Sequence, residues 1–350
     1  MRSRKYNDQR QIVWAASDVA TQIVSPTKRF FQIVDPLVGI ATMFCMVLPD
    51  ARTIRLGTPF IFENASSNFV GVYNADLTTF HRLMPRGTLT CTLKTQATAS
   101  GTWGSMVHDP AVGNPAFGLS SFVDFTGTMS SNTCYDGEGY IGAAGGAGSG
   151  IIIDGTFHAA GSQGIAKYTP AANATGWALH YSGPRKHGLG CRAFEGRVSV
   201  YGLSTAAEEY IVRFGFGDNI TGGAHTEGCY LIYDRYNGGG AAQPNWMIRH
   251  VKTAGGAGTS TANSNIAVTA DTGDLKQKLR LEINSSGNRV DYFIDNVQAS
   301  VAGGVTANIP TVNSVQLRNI IGHTNSAYTT TTNYTLADYL RQQSYPTTPR

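Results

Sequence analysis

A glycoside hydrolase needs two carboxylates facing each other about 5–9 Å apart, and on a strand only alternate residues share a face. Asp136-Gly137-Glu138 has that spacing, but it lies among glycines and reads as a turn with exposed acids. Glu208 and Glu209 are neighbours, which would point to opposite sides of a strand, and they read as part of a loop. The eight histidines are scattered, with His180 and His187 the nearest loop pair and no His-x-x-x-His or His-Glu-x-x-His word, so no metal site is expected. Gly-x-Ser-x-Gly is absent, and Gly238-Gly239-Gly240 is not followed by the Lys-Ser/Thr of a phosphate loop. No catalytic residue is assigned, no cofactor is implied, and the reading is of a protein that is not an enzyme. Binding chemistry has one candidate. Tyr233, Asp234, Tyr236, Asn237 and Trp246 combine aromatic faces for the C–H surface of a sugar with groups that could meet its hydroxyls. Against it stands the plainer reading of Tyr233 and Trp246 as core or interface aromatics.

The five cysteines, Cys45, Cys91, Cys134, Cys191 and Cys229, are odd in number and widely spaced, with no Cys-x-x-Cys. They read as free, mostly buried thiols rather than a disulfide framework or a zinc site.

The elements that must carry these residues are strands. Apolar residues make up 41% of the 350, enough for a sizeable core, while charged residues make up only 14%, and Gly reaches 41. Helical periodicity is nearly absent. Short alternating runs bounded by Gly, Asn, Asp, Ser and Pro recur instead, the all-β pattern. Phe60-Ile61-Phe62-Glu63 and Phe69-Val70-Gly71-Val72-Tyr73 flank a polar turn and read as a hairpin. Thr79–Met84 and the alternating Thr88-Leu89-Thr90-Cys91-Thr92-Leu93 extend it into an antiparallel meander or small barrel. Val198–Tyr201 and Tyr210–Phe214 read as paired strands, continued by Cys229–Tyr233 and Trp246–Arg249. Leu279-Arg280-Leu281-Glu282-Ile283 and Val290-Asp291-Tyr292-Phe293-Ile294 read as a hairpin, with Asp295-Asn296 turning into Val297. Domains are therefore expected at 1–105, a β module with a basic arm, and at 106–350, a sandwich.

Charge narrows the partners. The net +4 gathers in the first ten residues, where Arg2, Arg4, Lys5 and Arg10 face only Asp8. That reads as a solvated arm, and no basic stripe interleaved with aromatics points to specific nucleic-acid binding. No window reaches the ~18 uninterrupted apolar residues of a membrane span, and no secretory signal is expected.

The strands from Phe194-Glu195-Gly196-Arg197-Val198 through Tyr210–Phe216, Tyr230–Tyr233 and the Leu279–Asp295 hairpin resemble the concanavalin A-like (laminin-G-like) jelly roll. On that resemblance Tyr334-Thr335-Leu336-Ala337-Asp338-Tyr339-Leu340 is the closing strand, although periodicity alone also allows a short helix capped by Thr335. Gly57–Ser67 and the meander ending at Gly101-Thr102-Trp103 resemble small β modules of tailed-bacteriophage virion proteins. Together the resemblances imply a non-enzymatic virion structural protein, a homotrimeric head fibre, decoration or tail-associated fibre. Its partners would be copies of itself and capsid, portal or tail proteins, and it would be assembled in the host cytoplasm. The alternative is a receptor-binding lectin for host surface glycans, and a third reading is a polysaccharide depolymerase.

Overall fold

The computed structural model describes 45–109, 119–124, 140–146, 149–154, 165–171, 175–186, 190–205, 208–234, 243–253, 258–270, 277–299, 305–310, 316–325 and 333–346, with the strands 11–13, 21–23 and 31–34. It is an all-β chain. The one helical element among the described residues is the 3-10 turn Ala51–Thr53, capped by the Asp50 side chain. Two compact units are present: 1–118 together with 345–350, and 119–344.

In the first unit the chain alternates between two sheets. Gln11–Val13, Phe31–Val34 and Pro59–Asn64 lie parallel in one, and Thr21–Ile23, Cys45–Val47 and Val70–Tyr73 lie parallel in the other. Antiparallel strands then follow. Thr88–Thr95 pairs with Pro59–Asn64, Thr102–His108 with Thr88–Thr95, and Thr79–Leu83 with Val70–Tyr73. The sequence-suggested hairpin of Phe60–Glu63 with Phe69–Tyr73 is therefore wrong, and the module is mixed rather than wholly antiparallel. Alternation tells a strand which face to bury, not which neighbour to choose. Here both runs bury apolar faces, Phe60 and Phe62 on one sheet and Val70 and Val72 on the other. The alternation of Thr88–Thr95 is realised as read, with Leu89, Cys91 and Leu93 buried.

Asn64 is the bracket of this unit. It is fully buried, its Nδ2 donates to the carbonyls of Asn68, Leu83 and Met84 at 2.7, 3.1 and 3.0 Å, and its Oδ1 accepts from Ser66 N and Oγ. Asn64→Ala orphans these groups at once and should cost about 2–4 kcal/mol, several times the ~1 kcal/mol of one ordinary hydrogen bond. Denaturant titration against the wild type checks this; a loss under about 1 kcal/mol would show the bracket to be dispensable.

The second unit is a two-sheet sandwich. Sheet one runs, in spatial order, Gly150–Asp154, Ile165–Thr169, Tyr334–Pro346, Gly190–Tyr201, Gln277–Ile283, Val290–Ile294 and Val297–Gln298, with Leu119–Asp124 also pairing Tyr334–Pro346. Sheet two runs Tyr140–Gly145, Trp177–Ser182, Gln316–Asn325, Tyr210–Gly217, Gly228–Asp234, Asn245–Lys252 and Gly258–Ala267, with Arg185–Lys186 beside Gln316–Asn325, and it is antiparallel throughout. Aromatic side chains from the two inner faces fill the space between. Phe194 of sheet one stacks on Phe214 of sheet two at 4.4 Å, with Tyr140, Tyr168, Tyr210, Tyr233, Trp246 and Tyr292 around them.

The hairpin Leu279–Ile283 with Val290–Ile294 forms as read. The turn at Asp295-Asn296 has positive φ at both residues (50° and 65°), as a two-residue hairpin requires. The closing segment is strand, Tyr334–Pro346, as the resemblance implied. The pairing of Val198–Tyr201 with Tyr210–Phe214 is corrected. They lie in opposite sheets, because each run has a better ladder elsewhere: Gly190–Tyr201 with Gln277–Ile283, and Tyr210–Gly217 with Gly228–Asp234 and Gln316–Asn325.

Candidate functional site

Two of the candidate sugar-binding residues, Tyr233 and Trp246, lie in the core, as their plainer reading had it. Tyr233 is fully buried and Trp246 nearly so, packed edge-to-face at 6.3 Å in the sandwich core. The Trp246 indole donates to Gln277 Oε1 at 2.9 Å. Strand Gly228–Asp234 is buried along both faces up to half-buried Asp234, so alternation could not separate core from surface there. Tyr236 and Asn237, like Asp136, Glu138, His187 and Cys134, lie outside the described residues. Cys45, Cys91, Cys191 and Cys229 are free thiols, all buried except half-buried Cys45, and burial pushes the Cys91 thiol up to about 12. No cluster of three or more His, Cys, Asp or Glu able to hold a metal occurs among the described residues.

The face of sheet one that points away from the core is chemically richer. Along Gly190–Tyr201, Phe194, Val198 and Val200 enter the core. The residues between them, Glu195, Arg197, Ser199 and Tyr201, therefore take the other side. Register sets Arg280 beside Glu195, Lys278 beside Arg197 and Asp291 beside Glu282. The acids and bases on this face close on one another. Arg280 donates through Nη1 to Glu195 at 3.1 Å and through Nε to Glu282 at 2.7 Å, while both its terminal nitrogens reach Gln343 Oε1. Lys278 Nζ lies 3.3 Å from Glu195, and Tyr339 donates to the same carboxylate at 2.9 Å. Arg289 clasps Asp291 at 2.7 Å.

Burial alone would push the Glu195 carboxyl up, yet Arg280, Lys278 and the Tyr339 hydroxyl together hold it below its ordinary value. A general acid needs the opposite, a carboxyl kept protonated near neutral pH. Glu195 is thus held as an anion, and it shares the Arg280 guanidinium with Glu282. Sequence reasoning missed this group because it sought acids on one strand, whereas Glu195, Glu282 and Asp291 lie on three.

At the far end of the same face stands an aromatic platform. Tyr201, the last residue of its strand, is 42% exposed and stacks on Tyr334 with ring centroids 4.3 Å apart and planes 6° from parallel. Lys167 Nζ sits 4.1 Å from the Tyr334 ring centre. Beside them, the Asn333 amide donates to Glu208 Oε2 at 3.3 Å, which ties the start of the closing strand to the loop after Tyr201. Glu208 and Glu209 do fall in that loop, as read. The signal for Tyr201 was in the sequence: in Val198-Ser199-Val200-Tyr201 it alternates with the core valines.

No family model matches the chain, and no curated protein matches it. Solved structures do resemble it. The Emp47p carbohydrate recognition domain superposes with a TM-score of 0.42 at 10% identity, over 66% of this chain and 99% of that one. A β-1,3-glucanase from Mycobacterium marinum gives 0.41 at 12% identity, over 63% and 97%. A carbohydrate esterase from the Shiga toxin-encoding bacteriophage phi24B gives 0.36 at 11% identity, over 63% and 100%. At this identity the likeness concerns the fold; what those proteins bind or cleave belongs to them.

Proposed function

We propose that the chain is a non-enzymatic attachment protein whose sandwich binds carbohydrate on the outer face of sheet one. The observation that carries this reading is the Tyr201–Tyr334 stack. An exposed aromatic face already held flat by stacking is a ready platform, and the C–H face of a pyranose is a suitable partner for it. Tyr334 is already covered by Tyr201, so the sugar would lie on the exposed side of Tyr201, with the Asn333–Glu208 pair of the adjoining loop as the polar groups that would meet its hydroxyls. Glu195, held as an anion, supports binding rather than hydrolysis on this face.

A glycan array probed with the wild type and with Tyr201→Ala tests the proposal. The expected outcome is binding by the wild type that falls at least tenfold in the variant at an unchanged melting temperature. Equal binding by both, or reducing-end release from a bound polysaccharide, would contradict it.

A second reading, from the first unit, is assembly into a particle as a homotrimeric fibre or decoration protein of a virion. Its support is that, among the described strands, Gln11–Val13 pairs only with Phe31–Val34 and Thr21–Ile23 only with Cys45–Val47, each in parallel. Such edges are templates for strands of another copy or another protein. The two readings are compatible, since an attachment protein must be anchored. Light scattering on the purified full chain is expected to give a trimer at micromolar concentration; a monomer would argue against the self-assembly part.

A further inference from the structure

Among the described residues Arg192 is a cation without a counter-ion. It stands near the start of strand Gly190–Tyr201, at the opposite end from Tyr201, and is only 4% exposed. Its Nη2 donates to the Asn319 side-chain oxygen at 3.1 Å and more weakly to the Leu317 carbonyl at 3.4 Å, and its guanidinium lies 4.8 Å from the Phe216 ring centre. Nη1 is buried and has no hydrogen-bond partner. The other buried arginines of sheet one differ: Arg280 has Glu195 and Glu282, and Arg289 has Asp291. Among the described residues no carboxylate forms an ion pair with Arg192.

The surroundings add to the imbalance. Strand register places half-buried Arg185 beside Leu317, whose carbonyl Arg192 uses. Its other charge neighbours are a phenol and a thiol, Tyr140 and Cys229. Burial first, and then Arg185, draw the Arg192 pKa down to about 9, which is still charged at neutral pH. A desolvated guanidinium with an unsatisfied N–H costs several kcal/mol unless an anion accepts from it.

We infer that the end of the sandwich between Arg185 and Arg192 holds a small oxyanion, either free or as the carboxylate, sulfate or phosphate group of a larger ligand. The guanidinium edge at Nη1 supplies the directed donor, Arg185 adds a second positive charge, and the neutral polar groups of Asn319 and Ser182 impose no repulsion. This site is independent of the tyrosine platform and stands or falls separately from it.

The test is thermal unfolding of the full chain at constant ionic strength, replacing sodium chloride stepwise by sodium phosphate or sulfate, for the wild type and for Arg192→Met. The wild type is expected to gain stability along a saturating curve, as binding to the folded state alone dictates. The variant should lose the saturating part and keep only the shallow, linear response common to excluded salts. Isothermal titration of the wild type with inorganic phosphate, competed by sulfate, gives a direct reading if the variant does not fold. Acetate and a glucuronate-bearing disaccharide form the remaining arms: tighter binding of the disaccharide identifies a group on a larger ligand, and binding no tighter than that of phosphate identifies a free anion. Identical salt responses of wild type and variant, or no saturable binding of any of these anions, would overturn the inference.

Discussion

Acidification from pH 7 to pH 4 is expected to remove most of the stability of the sandwich, beginning above the range in which ordinary carboxylates titrate. Three histidines are enclosed in it as neutral rings. His180 meets the Tyr168 hydroxyl at 2.8 Å. His250 meets the Tyr292 hydroxyl at 2.7 Å and the Ala307 carbonyl at 2.9 Å. His323 meets Thr335 Oγ1 at 3.0 Å and stacks on Tyr210 at 4.5 Å. Burial draws the first two down to about 4 and the third to about 3, while the Ala307 carbonyl works slightly the other way at His250.

In the unfolded chain the same rings titrate near 6.5. Between that value and about 4 the unfolded state binds protons that the folded state refuses, so stability falls as the pH falls. Each ring contributes up to about 3 kcal/mol by pH 4, against a typical total of about 5–15 kcal/mol. Carboxylates held low, such as Glu195, act in the same direction but only as the pH falls through the unfolded value near 4.5. Imidazole proton resonances followed from pH 7.5 to 5 should show His180, His250 and His323 not moving, and denaturant midpoints should drop steeply below pH 6. Titration of these rings near 6.5 in the folded protein would refute the prediction.

Arg280→Ala should destabilise the same unit by about 3–5 kcal/mol, because it strands Glu195 and Glu282 as buried anions. The remaining Lys278 and Tyr339 contacts soften the loss at Glu195. Replacing the whole trio, Arg280→Met with Glu195→Gln and Glu282→Gln, should recover much of it, since the penalty lies in the unpaired charge rather than in a lost attraction. Urea midpoints of the single and triple variants decide this. A single variant within about 1 kcal/mol of wild type would show the carboxylates to be solvated in solution.

The faces of strands were legible, but their partners were not. Leu279, Leu281 and Ile283 point into the core as their alternation with Arg280 and Glu282 requires. Nothing in that alternation says that the charged side is itself buried, since its cover comes from residues such as Tyr339, 144 positions from Glu195. Tyr233 and Trp246 drew attention because polar residues surround them in sequence, yet both sides of Gly228–Asp234 are covered and local polarity was uninformative. The tyrosine platform was half legible. Tyr201 announces its face by alternating with Val198 and Val200, but Tyr334 joins it only through the spatial neighbourhood of the closing strand and Gly190–Tyr201. Arg192 was invisible, because the lack of a carboxylate partner among the described residues is a property of what surrounds it in space.

Hydroxyl-radical footprinting of the intact protein, with and without bacterial surface polysaccharide, tests the central claim most directly. The account predicts that Tyr201 is oxidised in the free protein and protected in the complex, with Tyr233 and Trp246 unreactive in both. Undiminished oxidation of Tyr201 while another surface of the bound protein becomes protected would contradict it.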